Sequence, residues 1–577
     1  MFDLLIRGGT LVDGSGGAPR LADVAIKDGF ITEVGTISAD AVRVIDARGA
    51  VVTPGFVDIH THYDGQATWD NQLDPSFSAG VTTVLFGNCG VGFAPVKPGE
   101  EQQLIELMEG VEEIPGTALH EGLKWNWSSF PEYLDVLDAP HSLDIGALLP
   151  HGPLRRFVMG DKVGSDKCAS DGELAVMAQL VDEAMAAGAF GLSSSRTPSH
   201  RTVRGEMTDD FNVDEPELRT LARAVTRHGG YVEFAPLGSG GEDYEGLRGE
   251  MQMYQRILDH TGATLHMLVA QTQAYPHYCF EQIKWAENVN AKGVGRVFAQ
   301  VGGRSISALL SFYGINPFMD RPTLLRIKST FPKEQWLEQL ALPEVKKCIL
   351  GEKNVPGSFG EFVNAFMDRC YDAGSGTDYE PDDSRSVTRL ARESGRQPAD
   401  LVYDLMVETS GHPRVTIALQ NYVNGNLDDV ARMLSSPATL LSLSDAGAHV
   451  QSVCDGSISP FMLTHWVRDR TRGPRMALET VVRMMTQEVA EAVGLTDRGL
   501  IAPGRKADIN IIDLQLLDLQ PPEFINDLPS GAARLMQRVT GFRATVVAGV
   551  VTRENDQPTG ALPGRLVRHN QLQRRAS

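Results

Sequence analysis

The sequence predicts an α/β fold, a (β/α)8 barrel carrying a small β-sandwich built from both chain ends. Three observations lead there. The middle of the chain alternates short strand-like runs with helical segments, the pattern of a parallel barrel. The two ends read as short strands joined by tight turns. At 577 residues the chain also exceeds one compact domain of ordinary size, so a large barrel plus a smaller domain is the natural division.

At the N-terminus, Leu4-Leu5-Ile6-Arg7 runs to a Gly8-Gly9 break, and Thr10-Leu11-Val12 runs into the turn pair Asp13-Gly14. Val24-Ala25-Ile26 and Ile31-Thr32-Glu33-Val34 flank Lys27-Asp28-Gly29, which is hairpin chemistry. The far end mirrors this with residues 507–512 and 544–551. Each half alone is short for a stable core. Residues 1–53 and 500–577 are therefore expected to share one sandwich, around a barrel of residues 54–499.

Eight segments read as barrel strands: 51–62, 82–88, 144–150, 190–194, 231–235, 264–271, 296–301 and 440–445. Between them lie helices at 173–187, 216–228 and 478–493, stopped by Gly188, Gly229 and Gly494. The stretch from about 317 to 439 is too long for one crossover helix and predicts a helical insertion near the barrel mouth, placed to act as a lid. Its amphipathic segment 333–340 reads as packing surface.

Composition narrows the function classes. A hydrophobic share of 42% and a charged share of 22% describe an ordinary globular protein. The net charge of -21 argues against nucleic acid as a partner, because phosphate binding needs clustered Lys and Arg. Six scattered cysteines without a CxxC pair point to reduced thiols. The first residues lack a basic leader, Arg7 interrupts their apolar run, and no apolar stretch approaches bilayer-spanning length. The expected setting is the cytoplasm, with a small-molecule partner, no membrane, and a homo-oligomer permitted by the acidic surface.

The chemistry starts at Asp58-Ile59-His60-Thr61-His62. Two histidines two apart on a strand project to one face, and on a barrel strand that face is the interior. They fall at the C-terminal end, where barrel active sites lie. Two imidazoles side by side make a poor core and a good pair of zinc-class ligands. Asp445 ends the apolar run Leu441-Ser442-Leu443-Ser444 and would deliver a carboxylate to the same mouth, able to bind metal and take a proton from water. Cys89 emerges just past the second strand. Such a cysteine is commonly an inert buried thiol, but beside a metal it is a thiolate ligand.

These residues sit in longer motifs. The opening run of residues 5–16 is similar to the start of the D-aminoacylase, or N-acyl-D-amino-acid deacylase, branch of the amidohydrolase superfamily. So are residues 54–62, Gly80-Val81-Thr82-Thr83-Val84, Gly87-Asn88-Cys89-Gly90 and residues 499–508. The resemblance covers nearly the whole chain. It implies an amidohydrolase-type barrel, with His60 and His62 as first-strand ligands and Cys89 in place of the bridging carboxylated lysine of many relatives. Asp445 would be the eighth-strand ligand and general base.

The sequence also departs from that family. Members with a full binuclear centre carry histidines on strands five and six. Here strand five reads Tyr231-Val232-Glu233-Phe234-Ala235, and on strand six His266 lies near the start, too deep for the mouth. Glu233 or Gln271 would have to substitute. One tightly bound zinc on His60, His62, Cys89 and Asp445 is expected, and a second metal is doubtful.

Other polar residues follow the strand ends: His151, Arg196, His200, Arg304 and His449. Either arginine would suit a substrate carboxylate through a bidentate pair, and His200 or His449 would suit a scissile carbonyl. The expected reaction is hydrolysis of an amide in an N-acyl-D-amino acid or similar N-acyl compound. The alternatives are a cyclic amide, lactone or other carboxamide at the same site, or a non-catalytic scaffold.

Overall fold

The computed structural model describes residues 1–576 apart from 164–167, 357, 375–376 and 410–412. Both chain ends enter one nine-stranded sheet. Their junction is the antiparallel pairing of Val51–Pro54 with Ile509–Ile512, in which Val52 faces Ile511. A core of its own lies within this sheet, drawing Leu4, Ile6, Val24 and Ile26 from one end and Ile509, Ile511, Ala544 and Val546 from the other. The expected break at Gly8-Gly9 is instead a bulge inside one strand, Phe2–Leu11, with Gly8 at φ 72°.

The barrel strands are Phe56–Asp58, Val81–Phe86, Asp144–Ala147 continued by Leu149–Pro150, Gly191–Ser195, Tyr231–Ala235, Thr264–Leu268, Arg296–Val301 and Thr439–Leu441. Neighbours pair in parallel throughout. The ring closes where Thr61 bridges Ala446. The third strand changes partners at Leu148: its first half pairs with strand two and its second half with strand four.

Two of the departures from the expected strand bounds have clear local reasons. The run 51–62 divides at Gly55, where a Cβ would sit 2.2 Å from the Thr82 hydroxyl oxygen. Residues before the glycine belong to the end sheet, and those after it to the barrel. The eighth strand stops at Leu441 rather than 445, because Leu443 and Asp445 turn to positive φ (61° and 45°).

Residues between strands seven and eight fold around a separate core containing Leu310, Phe318, Leu324, Val402, Tyr403 and Val415. This insertion is not purely helical. Ile306–Leu310, Cys370–Asp372 and Val415–Gln420 form an antiparallel sheet beside helices such as Pro322–Thr330 and Pro398–Glu408. Residues 357, 375–376 and 410–412 of the insertion lie outside the described residues. The insertion braces the loop after strand eight, with Leu309 N–H donating to Ser452 O at 2.7 Å.

The end sheet is fastened to the barrel by buried charge. Asp144 Oδ2 accepts from Arg498 at 2.5 Å and from Lys506 at 2.7 Å, and Lys506 also contacts Asp508. Burial would raise the Asp144 pKa, but Lys506 and Arg498 bring it down to about 2. The stabilisation is thus present above the ordinary carboxylate range and is lost as pH falls toward 2. Removing one partner of a buried pair strands the other charge, at a cost of about 3–5 kcal/mol. Asp144→Ala should therefore lower the calorimetric unfolding midpoint at pH 7. An unchanged midpoint would show that the cluster does not hold the two parts together.

Candidate metal centre

His60 and His62 lie just beyond the first barrel strand, still held in extended pairing. Thr61 N–H donates to Leu85 O at 3.2 Å, and His62 N–H to Ala446 O at 2.8 Å. Strand two ends at Phe86; Gly87 then turns at φ 84°, where a Cβ would meet Leu148 O at 2.4 Å. That turn and Cys89 itself, at φ 55°, carry the thiol inward. Non-glycine residues held at positive φ are costly and gather at functional sites. Here Cys89, Asp445 and His449 all adopt it.

The donor atoms of His60, His62 and Cys89 all lie within 4.8 Å of one another, and all three residues are buried. His60 Nε2 is 3.4 Å from Cys89 Sγ and 3.2 Å from Asp445 Oδ1. His62 Nε2 is 3.5 Å from the same carboxylate oxygen. The far side of each ring is held differently. His60 Nδ1 meets the neutral amide oxygen of Gln300 at 2.8 Å. His62 Nδ1 lies 3.3 Å from Glu112 Oε1.

The electrostatics describe a pocket with surplus negative charge. Burial disfavours the His62 cation, yet Glu112 and Asp445 raise its pKa to about 9. His60, with less carboxylate help against burial, falls to about 4. Burial also opposes charge on Asp445, but His62 and His60 hold its carboxyl well below the usual range. Burial, with Glu233 and Glu112, pushes the Cys89 thiol up. Two nitrogens, a sulfur and an oxygen converging in a buried space fit zinc in both ligand type and number.

The other expected site residues divide. His449 faces the site between two acids, 3.8 Å from Glu112 and 3.8 Å from Glu113. His200 Nδ1 bonds the Ser195 hydroxyl at 2.8 Å, and burial, together with His449 and His62, lowers its pKa to about 3. The remaining three are paired with other residues of the chain. His151 is fully buried between Ser194 Oγ and Glu217 Oε1, each at 2.9 Å. Arg196 Nε meets both Glu250 oxygens at 2.8 Å, and Nη1 meets Val213 O. Arg304, 1% exposed, binds Asp455 and Ser457 and stacks 3.6 Å from the Tyr379 ring centroid. Each guanidinium is paired with a buried carboxylate, Arg196 with Glu250 and Arg304 with Asp455.

The substitutes for the absent histidines also divide. Gln271 is tied to Asn421 and Asp429. Glu233 accepts the Cys89 N–H at 3.0 Å, its other oxygen has no hydrogen-bond partner among the described residues, and burial raises its pKa to about 8. His266 lies one layer below the centre, stacked on Tyr231 and reached from above by Gln300 at 3.3 Å. Sequence reasoning missed Glu112 and Gln300. Glu112 was visible as an acid on the apolar stripe of its helix with Ile105 and Met108, and Gln300 as the polar residue in Val297-Phe298-Ala299-Gln300-Val301.

The amidohydrolase family profile matches residues 43–311 and 363–553. The chain belongs to the amidohydrolase family. An N-acyl-D-aspartate deacylase of Alcaligenes xylosoxydans xylosoxydans is 28% identical to this amidohydrolase, over 98% of the chain and 95% of its own length. A D-aminoacylase of the same organism is 26% identical over 98% and 97%. Among solved structures, a D-aminoacylase described with a binuclear metal centre superposes at TM-score 0.64, with 24% identity, over 98% of this chain and all of that one. The N-acyl-D-glutamate deacylase of Bordetella bronchiseptica, complexed with zinc and a phosphonate inhibitor, gives 0.61 with 21% identity, over 98% and 99%. At those identities the structures establish the shared fold.

Metal must displace the protons that the apo site retains. His62 keeps its proton up to about pH 9, so zinc binding at pH 7 should release about one more proton than binding at pH 10. Titration calorimetry in buffers of different ionisation enthalpy reads this directly. Equal release at both pH values would contradict the His62 assignment.

Proposed function

We propose that this amidohydrolase cleaves the amide bond of an N-acyl compound of the N-acyl-D-amino-acid class, using one zinc ion on His60, His62, Cys89 and Asp445. The observation that carries the reading is the placement of Asp445. Its Oδ1 faces both imidazole Nε2 atoms, at 3.2 and 3.5 Å, with the Cys89 thiol 3.4 Å from the first. The names of the deacylase relatives support the substrate class.

When bound, zinc polarises the scissile carbonyl and makes water available as a nucleophile near neutral pH. Asp445 is ionised at that pH because His62 and His60 oppose the effect of burial. It accepts a proton from the attacking water as the new C–O bond forms. It then returns that proton to the leaving nitrogen as the C–N bond breaks, giving a carboxylate and a free amine. His200 is neutral, and with Nδ1 engaged by Ser195 it presents Nε2 to the carbonyl oxygen. Gln300 holds the ring of His60 in place from behind.

Asp445→Asn should reduce kcat by roughly 10²–10⁴-fold, the usual worth of a positioned acid–base group. KM should change little, and turnover is compared per bound zinc, because Asp445 is also a proposed ligand. Near-normal turnover with intact zinc would remove Asp445 from this role. The substrate class is tested by assaying amine release from N-acyl-D-amino acids, their L-enantiomers and cyclic imides, before and after chelation. Chelation should abolish turnover and one equivalent of zinc should restore it. Preferential cleavage of the cyclic imides would overturn the substrate assignment.

A further inference from the structure

Glu112 is the last residue of the helix Glu101–Glu112 and is 2% exposed. It lies on the face that buries Ile105 and Met108, where an apolar residue would be expected. A buried carboxylate is usually matched by arginine or lysine. Among the described residues the ion pairs of Glu112 are with histidines: Oε1 is 3.3 Å from His62 Nδ1 and Oε2 is 3.8 Å from His449 Nε2. Its carbonyl oxygen also accepts the His449 N–H at 2.6 Å. The carboxylate thus spans a metal-site ring and the loop that carries Asp445.

His62 shows why a carboxylate belongs there. Its Nε2 faces the site, 3.5 Å from Asp445 Oδ1. A neutral imidazole that ligates through Nε2 carries its proton on Nδ1 and needs an acceptor for it. Among the described residues His62 Nδ1 is buried without a well-formed hydrogen bond, and Glu112 Oε1 lies within reach at 3.3 Å. For His60 the corresponding acceptor is the neutral Gln300 amide. A carboxylate behind an imidazole fixes its tautomer and makes the ring a stronger donor than an amide does.

We propose that Glu112 is a positioning residue of the metal centre, accepting the Nδ1 proton of His62 and so fixing that ring for ligation through Nε2. The inference rests on the zinc site of the proposed function. It makes the two histidines unequal ligands, with His62 the stronger.

The test is zinc affinity of the full-length chain, measured by competition with a chromogenic chelator. Glu112→Gln should bind zinc 10–100-fold more weakly than wild type, the usual effect of removing such a partner. Glu113→Gln, which alters the adjacent carboxylate near His449 and Ser452, should stay within about threefold. Wild-type affinity in Glu112→Gln, or an equal loss in Glu113→Gln, overturns the proposal. A wild-type chain that binds no zinc overturns the zinc site itself. Nitrogen-15 spectra of labelled histidine in the zinc-loaded wild type give a readout that needs no variant. They should show His62 protonated at Nδ1 and ligated at Nε2, and the opposite assignment would overturn the proposal even if Glu112→Gln fails to fold.

Discussion

The closure of the barrel between its first and eighth strands is what the rest of the site depends on. Asp445 N–H donates to His60 O, and His62 N–H donates to Ala446 O, so the two segments lock in register. Ser444 reinforces the seam by donating its hydroxyl to the buried Asp58 carboxylate and to His60 O. Burial raises the Asp58 pKa to about 7 against the opposing pull of Ser444 and the His60 amide. Without this seam Asp445 would have no fixed relation to the imidazoles, and neither of its proposed roles could follow.

Much of this was legible in the sequence, because periodicity and motif spacing are local properties. The Asp58-Ile59-His60-Thr61-His62 run, Cys89 after its strand and Asp445 after its apolar run all meet in the structure. The strand Tyr231–Ala235 and the strand Arg296–Val301 fall at their expected bounds. What sequence could not supply was the pairing of side chains distant along the chain. Arg196 and Arg304 stand after strand ends, as substrate-binding residues would, and only the folded chain shows that Glu250 and Asp455 already occupy them. Glu112 reaches the site from a helix whose sequence shows one misplaced acid and no indication of its target. The insertion's antiparallel sheet was hidden for a similar reason, since its strands are joined over more than a hundred residues.

The two histidines illustrate how one motif yields two differently poised imidazoles. They are two residues apart and their rings stand 5.4 Å apart at 71°. One backs onto an amide from strand seven, the other onto a carboxylate from the helix after strand two. Identical side chains thereby acquire opposite pKa shifts within one pocket. The protein uses the surrounding acceptors, rather than the motif itself, to set the basicity of each nitrogen.

The occupied arginines also bear on how a substrate arrives. Arg196 and Arg304 are neutralised by their partners, while Glu112, Glu113 and Asp445 gather around the histidines on a chain of net charge -21. The chain as a whole therefore repels an approaching anion, and neither arginine offsets that locally. An anionic substrate diffuses in against that field, so its association rate rises with ionic strength, whereas a cationic one slows. The same arginine pairs that stiffen the barrel rim thus make salt a kinetic variable for the enzyme.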